Sequence, residues 1–253
     1  MKQKIVSLQD IRFEIGKAKI LDNINVDVYA GDCIMLIGCN GSGKSSLLKI
    51  INGLYRPISG SIELLGNSVY ELPLRKRAKF ISTMNQDPDL STFSQLTVYE
   101  NYLMARAKKA PRMGFFKARD KASYIAAAEY LTAFNPHLGD RLHMPAGMLS
   151  GGERQSLGLA LCLMHSPELI ILDEHTSALD PSSAKRVMEI TSEAVSKMNS
   201  TAIICTHNLQ DALCYGNRLI AMRKGRIILD LKQEEKTLIS KEELLKIYSD
   251  FDG

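Results

Sequence analysis

The residues with the clearest chemistry form a glycine-rich stretch, GCNGSGKS, at residues 38–45. The stretch matches the pattern G-x-x-x-x-G-K-[ST], in which glycines let backbone N–H groups wrap a polyphosphate. Lys44 should reach the β- and γ-phosphates as a point charge, and Ser45 should offer its hydroxyl to Mg²⁺. An incidental lysine in a glycine turn is the weaker interpretation, because the motif lies between a strand-like segment and a helical pattern. The predicted phosphate-binding residues are Gly38, Cys39, Asn40, Gly41, Ser42, Gly43, Lys44, Ser45 and Ser46, with Cys39 as a bystander to the chemistry.

Two carboxylates follow an apolar run in the stretch LIILDE, residues 169–174. An aspartate at the carboxyl end of a buried strand lies where open α/β sheets bind ligands, so Asp173 can hold Mg²⁺ through water. Glu174 is then the candidate to polarise an attacking water. Solvated capping of the next helix is the alternative, and on its own it would be equally good. The glycine-rich stretch in the same chain favours the catalytic interpretation.

A second anion site is suggested by MLSGGERQSLG, residues 148–158. We expect Ser150, Gly151 and Gly152 to form a small turn that leads into a helix, because apolar residues then recur at helical spacing. The N-terminus of a helix attracts anions through its N–H groups and its dipole. No lysine lies in this turn, so the sequence predicts only half of a phosphate site here.

These motifs, taken with SALD at residues 177–180 and TH at residues 206–207, resemble those of the nucleotide-binding domain of ABC ATPases. The resemblance covers nearly the whole chain, and four ordered motifs are far more specific than any one of them. In that family two domains pack head to tail around ATP. The resemblance therefore implies that the signature residues Ser150, Gly151, Gly152 and Glu153 contact the γ-phosphate bound by Lys44 of a second copy.

The same resemblance assigns three further residues. Gln86, in TMNQDP, is similar to the glutamine that touches Mg²⁺ and water, which with Ser45 and Asp173 completes the predicted metal site. His207 resembles the histidine that contacts the γ-phosphate, although an isolated histidine at a strand end is more often structural. Asp180 resembles an aspartate that lies across the dimer interface, and a helix-capping role for it is equally open.

Three positions depart from the family pattern. Ile15 precedes Gly16 where family members usually have an aromatic ring that stacks on adenine, and Phe13 lies two residues earlier. Glu153 replaces a glutamine, with similar size and hydrogen-bonding reach. His175 follows Glu174 where proline or alanine is more usual. It could titrate near neutral pH, but a packed neutral histidine is the preferred interpretation.

The elements around these motifs predict an α/β fold. Short β-rich segments open the chain, a helix is expected from about residue 45, and strands and helices alternate after residue 168. This alternation is typical of a mostly parallel sheet covered by helices. The resemblance specifies a P-loop NTPase core, an N-terminal antiparallel β subdomain and an inserted α-helical subdomain at about residues 90–165. We expect one nucleotide-binding domain over residues 1–253.

Composition excludes several other classes. A net charge of +4 is too small to require nucleic acid as a partner. The basic stretch at residues 105–121 favours a solvated loop, with docking on an acidic partner or on lipid as the alternative. Five scattered cysteines predict neither disulfides nor zinc and fit a reducing cytosol. We see no secretory leader and no apolar run long enough to cross a bilayer.

The resulting hypothesis is an ATPase subunit of a bacterial-type ABC transporter, bound to the inner face of the plasma membrane from the cytoplasm. Its partners would be a second copy, separate membrane-spanning permease chains and an extracytoplasmic solute-binding protein. Import is favoured, and the wording DEHTSALDP is similar to that of importers with lipoprotein binding proteins, some of which carry aromatic amino acids. The alternative is an ABC ATPase without transport, such as an iron–sulfur assembly subunit. A nucleotide sensor without turnover is disfavoured because Lys44, Glu174 and His207 occur together.

Overall fold

The structure, a computed structural model, describes residues 2–87, 90–107 and 120–249. It divides into two compact units, one comprising Met1–Ala78 with Asn199–Gly253 and the other Lys79–Met198. Residues 108–119 of the predicted basic loop lie outside the described residues. The prediction of a single domain with a helical insert stays a prediction.

The described residues form ten strands and ten α-helices. The strands are β1 (Lys4–Ile15), β2 (Ala18–Tyr29), β3 (Cys33–Gly38), β4 (Ser59–Leu64), β5 (Asn67–Ser68), β6 (Ile81–Met84), β7 (Leu169–Asp173), β8 (Thr201–Cys205), β9 (Arg218–Arg223) and β10 (Arg226–Lys232). The helices are α1 (Lys44–Ile51), α2 (Leu74–Phe80), α3 (Val98–Ala107), α4 (Lys121–Thr132), α5 (Pro136–Asp140), α6 (Gly151–Leu163), α7 (Pro181–Lys197), α8 (Leu209–Cys214), α9 (Gln233–Lys236) and α10 (Lys241–Ser249).

An antiparallel sheet with the strand order β2-β1-β4-β5 belongs to the first unit. β1 and β2 form a long hairpin whose turn contains Gly16 at φ 62°, a conformation that glycine adopts without strain. Val6 pairs with Val28 and Leu8 with Val26, and all four side chains are buried. This confirms the predicted N-terminal β subdomain.

The first unit also contains four strands in the order β10-β9-β3-β8. β3 is parallel to both β8 and β9, whereas β10 is antiparallel to β9. Residues 34–38 and 201–205 are all buried, as expected for parallel strands inside an α/β sheet. Because β3 and β8 are parallel, the loops that follow them start at the same edge of the sheet.

Helix α1 confirms the helix predicted after the glycine-rich stretch. Its apolar residues Leu47, Leu48, Ile50 and Ile51 are buried, and Asn52 caps the carboxyl end. The tail helix α10 begins with a capping box, in which Ser240 and Glu243 exchange hydrogen bonds of 2.8 and 3.1 Å. The short helices α2 and α9 were not predicted, because neither is long enough to show a periodic apolar pattern.

The second unit is mainly helical, as predicted. It contains α3 to α7, a 3-10 helix at Ala146–Met148, and the parallel strand pair β6 and β7. The strand β7 is buried along Leu169 to Leu172, and only Asp173 at its carboxyl end is partly exposed. Along the described part of the chain, no helix has both the length and the apolar character needed to cross a membrane.

Candidate functional site

The glycine-rich stretch forms the loop between β3 and α1. Gly41 and Gly43 have φ angles of 80° and 101°, which L-residues with side chains rarely adopt. A Cβ atom on Gly38 would lie 2.6 Å from the main-chain oxygen of Met222. The loop therefore depends on glycines both for its conformation and for the space around it.

Lys44 begins α1 and turns back over the loop. Its side chain is buried, and its Nζ donates to the main-chain oxygens of Gly38 at 2.7 Å and Cys39 at 3.3 Å. The hydroxyl of Ser42 is buried and has no hydrogen-bond partner among the residues that the structure describes. Both groups are strong phosphate-binding groups, and α1 directs the positive end of its dipole at the same loop.

These features fit a polyphosphate. The loop combines backbone that only glycine allows, a buried ammonium group, a buried hydroxyl without a partner and a helix N-terminus. Ser45 is exposed in the first turn of α1, and Ser46 is half-buried beside it. Cys39 is exposed as a free thiol, which is consistent with its predicted role as a bystander.

His207 follows β8 at the sheet edge where the glycine-rich loop begins. The main-chain N–H of Thr206 donates to the oxygen of Leu36 at 3.1 Å, which ties the segment before His207 to β3. The His207 side chain is exposed, and α8 starts two residues later with Asn208 as its cap. Burial raises the pKa of Asp211 in α8, while the charge of His207 opposes that increase.

The second unit brings Gln86 and Glu174 together. Glu174 follows β7, and its Oε2 accepts a hydrogen bond of 3.4 Å from Nε2 of Gln86. The same amide nitrogen donates to the hydroxyl of Ser177 at 3.3 Å. Ser177 begins the SALD motif but was not among the predicted site residues, because the motif does not indicate a contact with Gln86, 91 positions away.

Glu174 also has an unusual backbone. Its φ of 47° lies in the left-handed region, which is uncommon for a residue with a side chain. The turn is held by a hydrogen bond of 3.0 Å from the N–H of Ser177 to the oxygen of Glu174. Such strained conformations concentrate at functional positions, where the surrounding structure maintains them.

His175 is packed, not exposed beside Glu174. Its Nε2 lies 3.1 Å from the hydroxyl of Thr191, and Nε2 of Gln155 donates to its main-chain oxygen. Its side chain is almost completely buried, and this burial lowers the pKa of His175 to about 4. The expected packing of His175 is confirmed, and its burial favours the neutral form.

The signature residues require one correction. Gly151 and Gly152 do not form a turn before a helix but are the first residues of α6 itself, with Ser150 as the N-cap. The prediction of a flexible turn was wrong because Ser150 and Glu153 form a capping box, in which each side chain accepts from the other's N–H. This cap stabilises the helix over the two glycines.

The carboxylate of Glu153 accepts hydrogen bonds from two residues of the same chain. Arg141 donates from Nη1 to both carboxylate oxygens, at 2.6 and 2.8 Å, and the N–H of Ser150 donates at 3.0 Å. Sequence analysis did not identify Arg141, because it belongs to no motif and lies twelve residues before Glu153. The sequence feature that could have indicated a basic partner is Glu153 itself, an acidic residue where the family usually has glutamine.

A cavity of about 440 Å³ lies at the start of α6 and α7. Asp180 at its edge caps α7, accepting from the N–H groups of Ser182 and Ser183 at 3.1 Å each. The predicted capping role of Asp180 is therefore confirmed. The cavity is lined by Asn135, Pro136, His137, Ser150, Gly151, Gly152, Glu153, Ser156, Ala178, Leu179, Asp180, Ser183, Arg186 and Val187.

The first hairpin lacks an exposed aromatic ring at the predicted adenine position. Phe13 is buried and stacks on Tyr55, with ring centroids 5.3 Å apart. Ile15 is 54% exposed at the end of β1. The Phe13 ring is thus used in the core, and Ile15 can offer a base only an aliphatic surface.

The predicted magnesium ligands are oxygen donors of the kind that Mg²⁺ prefers, namely a hydroxyl, an amide oxygen and a carboxylate. The side-chain amide nitrogen of Gln86 donates to Glu174 and Ser177. The amide oxygen is the atom of this side chain that could bind Mg²⁺. Within the described ranges there is no cluster of three or more His, Cys, Asp or Glu side chains that could hold a metal by itself. The assignment of Ser45, Gln86 and Asp173 to Mg²⁺ therefore stays a prediction.

Comparison with known proteins identifies a matching family and similar relatives. A family model described as ABC transporter matches residues 21–177. A tyrosine transport ATP-binding protein of Clostridioides difficile (strain R20291) is 39% identical over 228 residues, covering 90% of this chain and 90% of the relative. The phosphonates import ATP-binding protein PhnC of Mesoplasma florum is 35% identical over 223 residues, covering 83% of this chain and 87% of the relative.

Among solved structures, cbiO1 from Clostridium perfringens is similar over 97% of this chain and 94% of its own, with a TM-score of 0.78 and 26% identity. It is described as part of the ABC transporter complex cbiONQ. The likeness extends over both compact units.

Proposed function

Because this chain belongs to the ABC transporter family of ATPases, which couple ATP hydrolysis to transport, we propose that it powers solute import through separate membrane-spanning subunits. The observation that carries this proposal is the loop between β3 and α1. Its glycine conformations, its buried Lys44 and the N-terminus of α1 all fit a triphosphate. Family membership makes ATP the natural ligand.

We assign the triphosphate to the loop at residues 38–46. The backbone N–H groups bind the phosphates, Lys44 exchanges its main-chain acceptors for the β- and γ-phosphate oxygens, and Cys39 and Asn40 line the loop without chemical roles. Ser45, Gln86 and Asp173 would hold Mg²⁺ through their oxygen atoms. When bound, the ion neutralises charge on the phosphate oxygens.

Hydrolysis uses Glu174 and His207 in this proposal. Glu174 accepts a proton from water as the water oxygen bonds to the γ-phosphorus, and the bond to the β–γ bridging oxygen breaks to give ADP and phosphate. His207 contacts the γ-phosphate. The strained backbone of Glu174 and its hydrogen bond with Gln86 support a poised carboxylate at this position.

A second copy completes the site. Ser150, Gly151, Gly152 and Glu153 at the start of α6 face the γ-phosphate held by the other copy, and Asp180 lies at the same interface. The capped N-terminus of α6 and the cavity beside it support this assignment. The α6 half carries no lysine in its first turn, so in this proposal it depends on Lys44 of the other copy.

The remaining partners follow from the relatives. We propose that the chain docks on permease subunits at the inner, cytoplasmic face of the plasma membrane and works with an extracytoplasmic solute-binding protein. The tyrosine transport relative supports an aromatic amino acid as the solute, and the phosphonates import relative supports import as the direction of transport. These names favour transport over an ATPase that assembles iron–sulfur clusters.

Replacing Glu174 with glutamine tests the proposal. The amide cannot accept the proton, so ATP turnover should fall by roughly 100-fold or more, while ATP binding persists. We expect E174Q with ATP to form a stable dimer, measured by light scattering after size-exclusion chromatography, whereas the parent should return to single copies as ATP is consumed.

The matched control is Glu189→Gln, which changes an exposed carboxylate on α7 that pairs with Lys185 at 3.9 Å. This variant should hydrolyse ATP like the parent. Parental turnover by E174Q, or single copies of E174Q at saturating ATP, would contradict the proposed function.

A further inference from the structure

The carboxylate of Glu153 is held by three hydrogen bonds from two residues. Nη1 of Arg141 donates to both of its oxygens, and the N–H of Ser150 donates to Oε2. The residue is only 7% exposed, and it lines the cavity at the start of α6. Glu153 lies in the first turn of α6, so its carboxylate occupies the helix N-terminus, which attracts anions.

The contacts of Glu153 favour its ionised form. Burial alone would raise the pKa of Glu153, but the hydrogen bonds from Ser150 and the charge of Arg141 hold it below its usual value. A full negative charge therefore lies within the residues that, in the proposed function, receive the γ-phosphate of a second copy. Uncompensated, it would repel the triphosphate, since interactions between like charges are strong in partly buried sites.

The other charged residues of the cavity do not neutralise this charge as directly. Asp180 is a second anion, and it is engaged at the cap of α7. His137 and Arg186 line the cavity with exposed side chains, and His137 contributes the smallest of the effects that lower the pKa of Glu153. Arg141 is the cation in direct contact with the carboxylate, at 2.6 Å from its Oε1.

We propose that Arg141 is a positioning residue that neutralises Glu153 and holds its carboxylate in the helix cap, so that α6 of one copy accepts the triphosphate bound by another. This inference rests on the proposed function. Without Arg141, Glu153 either keeps a charge that opposes the γ-phosphate or takes up a proton and weakens its bond from Ser150. Both outcomes follow because a buried charge that loses its partner is strongly unfavourable.

A double-mutant cycle in the E174Q background separates charge from packing. The variants Arg141→Met, Glu153→Gln and their combination are compared for ATP-driven dimer formation by analytical ultracentrifugation. We expect Arg141→Met to raise the dimer dissociation constant about 10-fold, or about 1.4 kcal/mol, with a larger effect at low salt. In the presence of Glu153→Gln, the same replacement of Arg141 should change the constant less than about 2-fold.

Two further variants keep the test interpretable. Arg141→Lys retains a cation and should dimerise nearly as well as the parent, even where Arg141→Met lowers the melting temperature. Lys197→Met removes one cation from an exposed pair with Glu193, which is 2.6 Å long, and should leave dimerisation unchanged.

Two results would overturn this inference and leave the proposed function intact. One is a dimer of Arg141→Met as tight as the E174Q parent, and the other is a double variant as weak as Arg141→Met. A failure of E174Q itself to dimerise with ATP would instead refute the proposed function, and this inference with it.

Discussion

The phosphate loop depends on individual glycines for different reasons. Gly43 has a φ of 101°, and a Cβ atom there would lie 2.7 Å from Cδ2 of Leu21 and 2.9 Å from the oxygen of Ile20. Gly41, at φ 80°, faces open space. Position 43 thus requires glycine for both its backbone conformation and its surroundings.

We predict that Gly43→Ala abolishes ATP binding and destabilises the protein. The left-handed conformation costs roughly 1–2 kcal/mol for a residue with a side chain, and the contact with the oxygen of Ile20 adds to that cost. Urea unfolding and calorimetric titration with ATP would measure the two effects.

Gly66→Ala is the matched control, because Gly66 has a φ of 74° and no atom within 4 Å of a Cβ built on it. It should show the backbone cost alone and bind ATP like the parent. Equal stability of the two variants would show that the contacts of Gly43 carry no weight.

At the scale of elements, the two helices at the cavity begin with different caps. α6 uses the reciprocal capping box of Ser150 and Glu153, and α7 uses Asp180 alone, followed by Pro181 at its first position. Hydrogen bonds from Ser183 and Ser182 hold the pKa of Asp180 well below its usual value of 3.8. The cap of α7 therefore depends on the ionised carboxylate.

This dependence predicts a pH effect on stability. Because the folded pKa of Asp180 is depressed, its contribution is present above the unfolded pKa of about 3.9 and is lost as the pH falls toward the folded value. Asp180→Ala should therefore lower the free energy of unfolding at neutral pH, and its difference from the parent should shrink below about pH 4. Denaturant unfolding as a function of pH would measure this.

Asp180→Asn keeps an oxygen that can cap the helix but carries no charge. It should remain close to the parent at neutral pH and show a flatter pH dependence. A difference between Asp180→Ala and the parent that stays constant down to pH 2 would contradict the assigned role of the carboxylate.

At the scale of the whole molecule, each compact unit contains some of the residues to which the proposed function assigns chemistry. The first holds the phosphate loop and His207, and the second holds Asp173, Glu174 and the start of α6. In the proposed function, hydrolysis therefore requires the complete chain and a second copy, and transport also requires permease subunits.

The transport proposal predicts that uptake depends on Glu174. In cells that rely on this system, Glu174→Gln should abolish accumulation of labelled tyrosine, because the resting conformation is not restored without hydrolysis. Glu189→Gln should leave uptake at the parental level. Both variants should co-isolate with a multi-spanning membrane protein from detergent-solubilised membranes.

Labelled tyrosine that leaves preloaded cells in a Glu174-dependent manner would show export and contradict the predicted direction. Uptake that is independent of Glu174 would remove tyrosine as the solute. Failure of the chain to isolate with any membrane protein would refute the transporter assignment and favour an ATPase without transport.

The sequence predicts features that depend on residues close together in the chain. The glycine-rich stretch, the acidic residues at the carboxyl end of β7 and the helix α1 were predicted because each depends on neighbouring residues. The helical character of the second unit was readable from composition, and the parallel strands from their continuous apolar runs. The two glycines of α6 were misread, since glycine usually interrupts helices and only the capping box overrides that preference.

What the sequence by itself determined is the set of reactive residue types, their spacing and the α/β class, because these depend on local pattern and on the period of apolar residues. Only the tertiary structure decided which of these side chains meet. The contact of Gln86 with Glu174 spans 88 positions, and the pairing of His175 with Thr191 and that of Arg141 with Glu153 each join different segments of the chain. Long-range packing sets these contacts, so no local pattern encodes them, and the charge on Glu153 could be understood only once its partner was known.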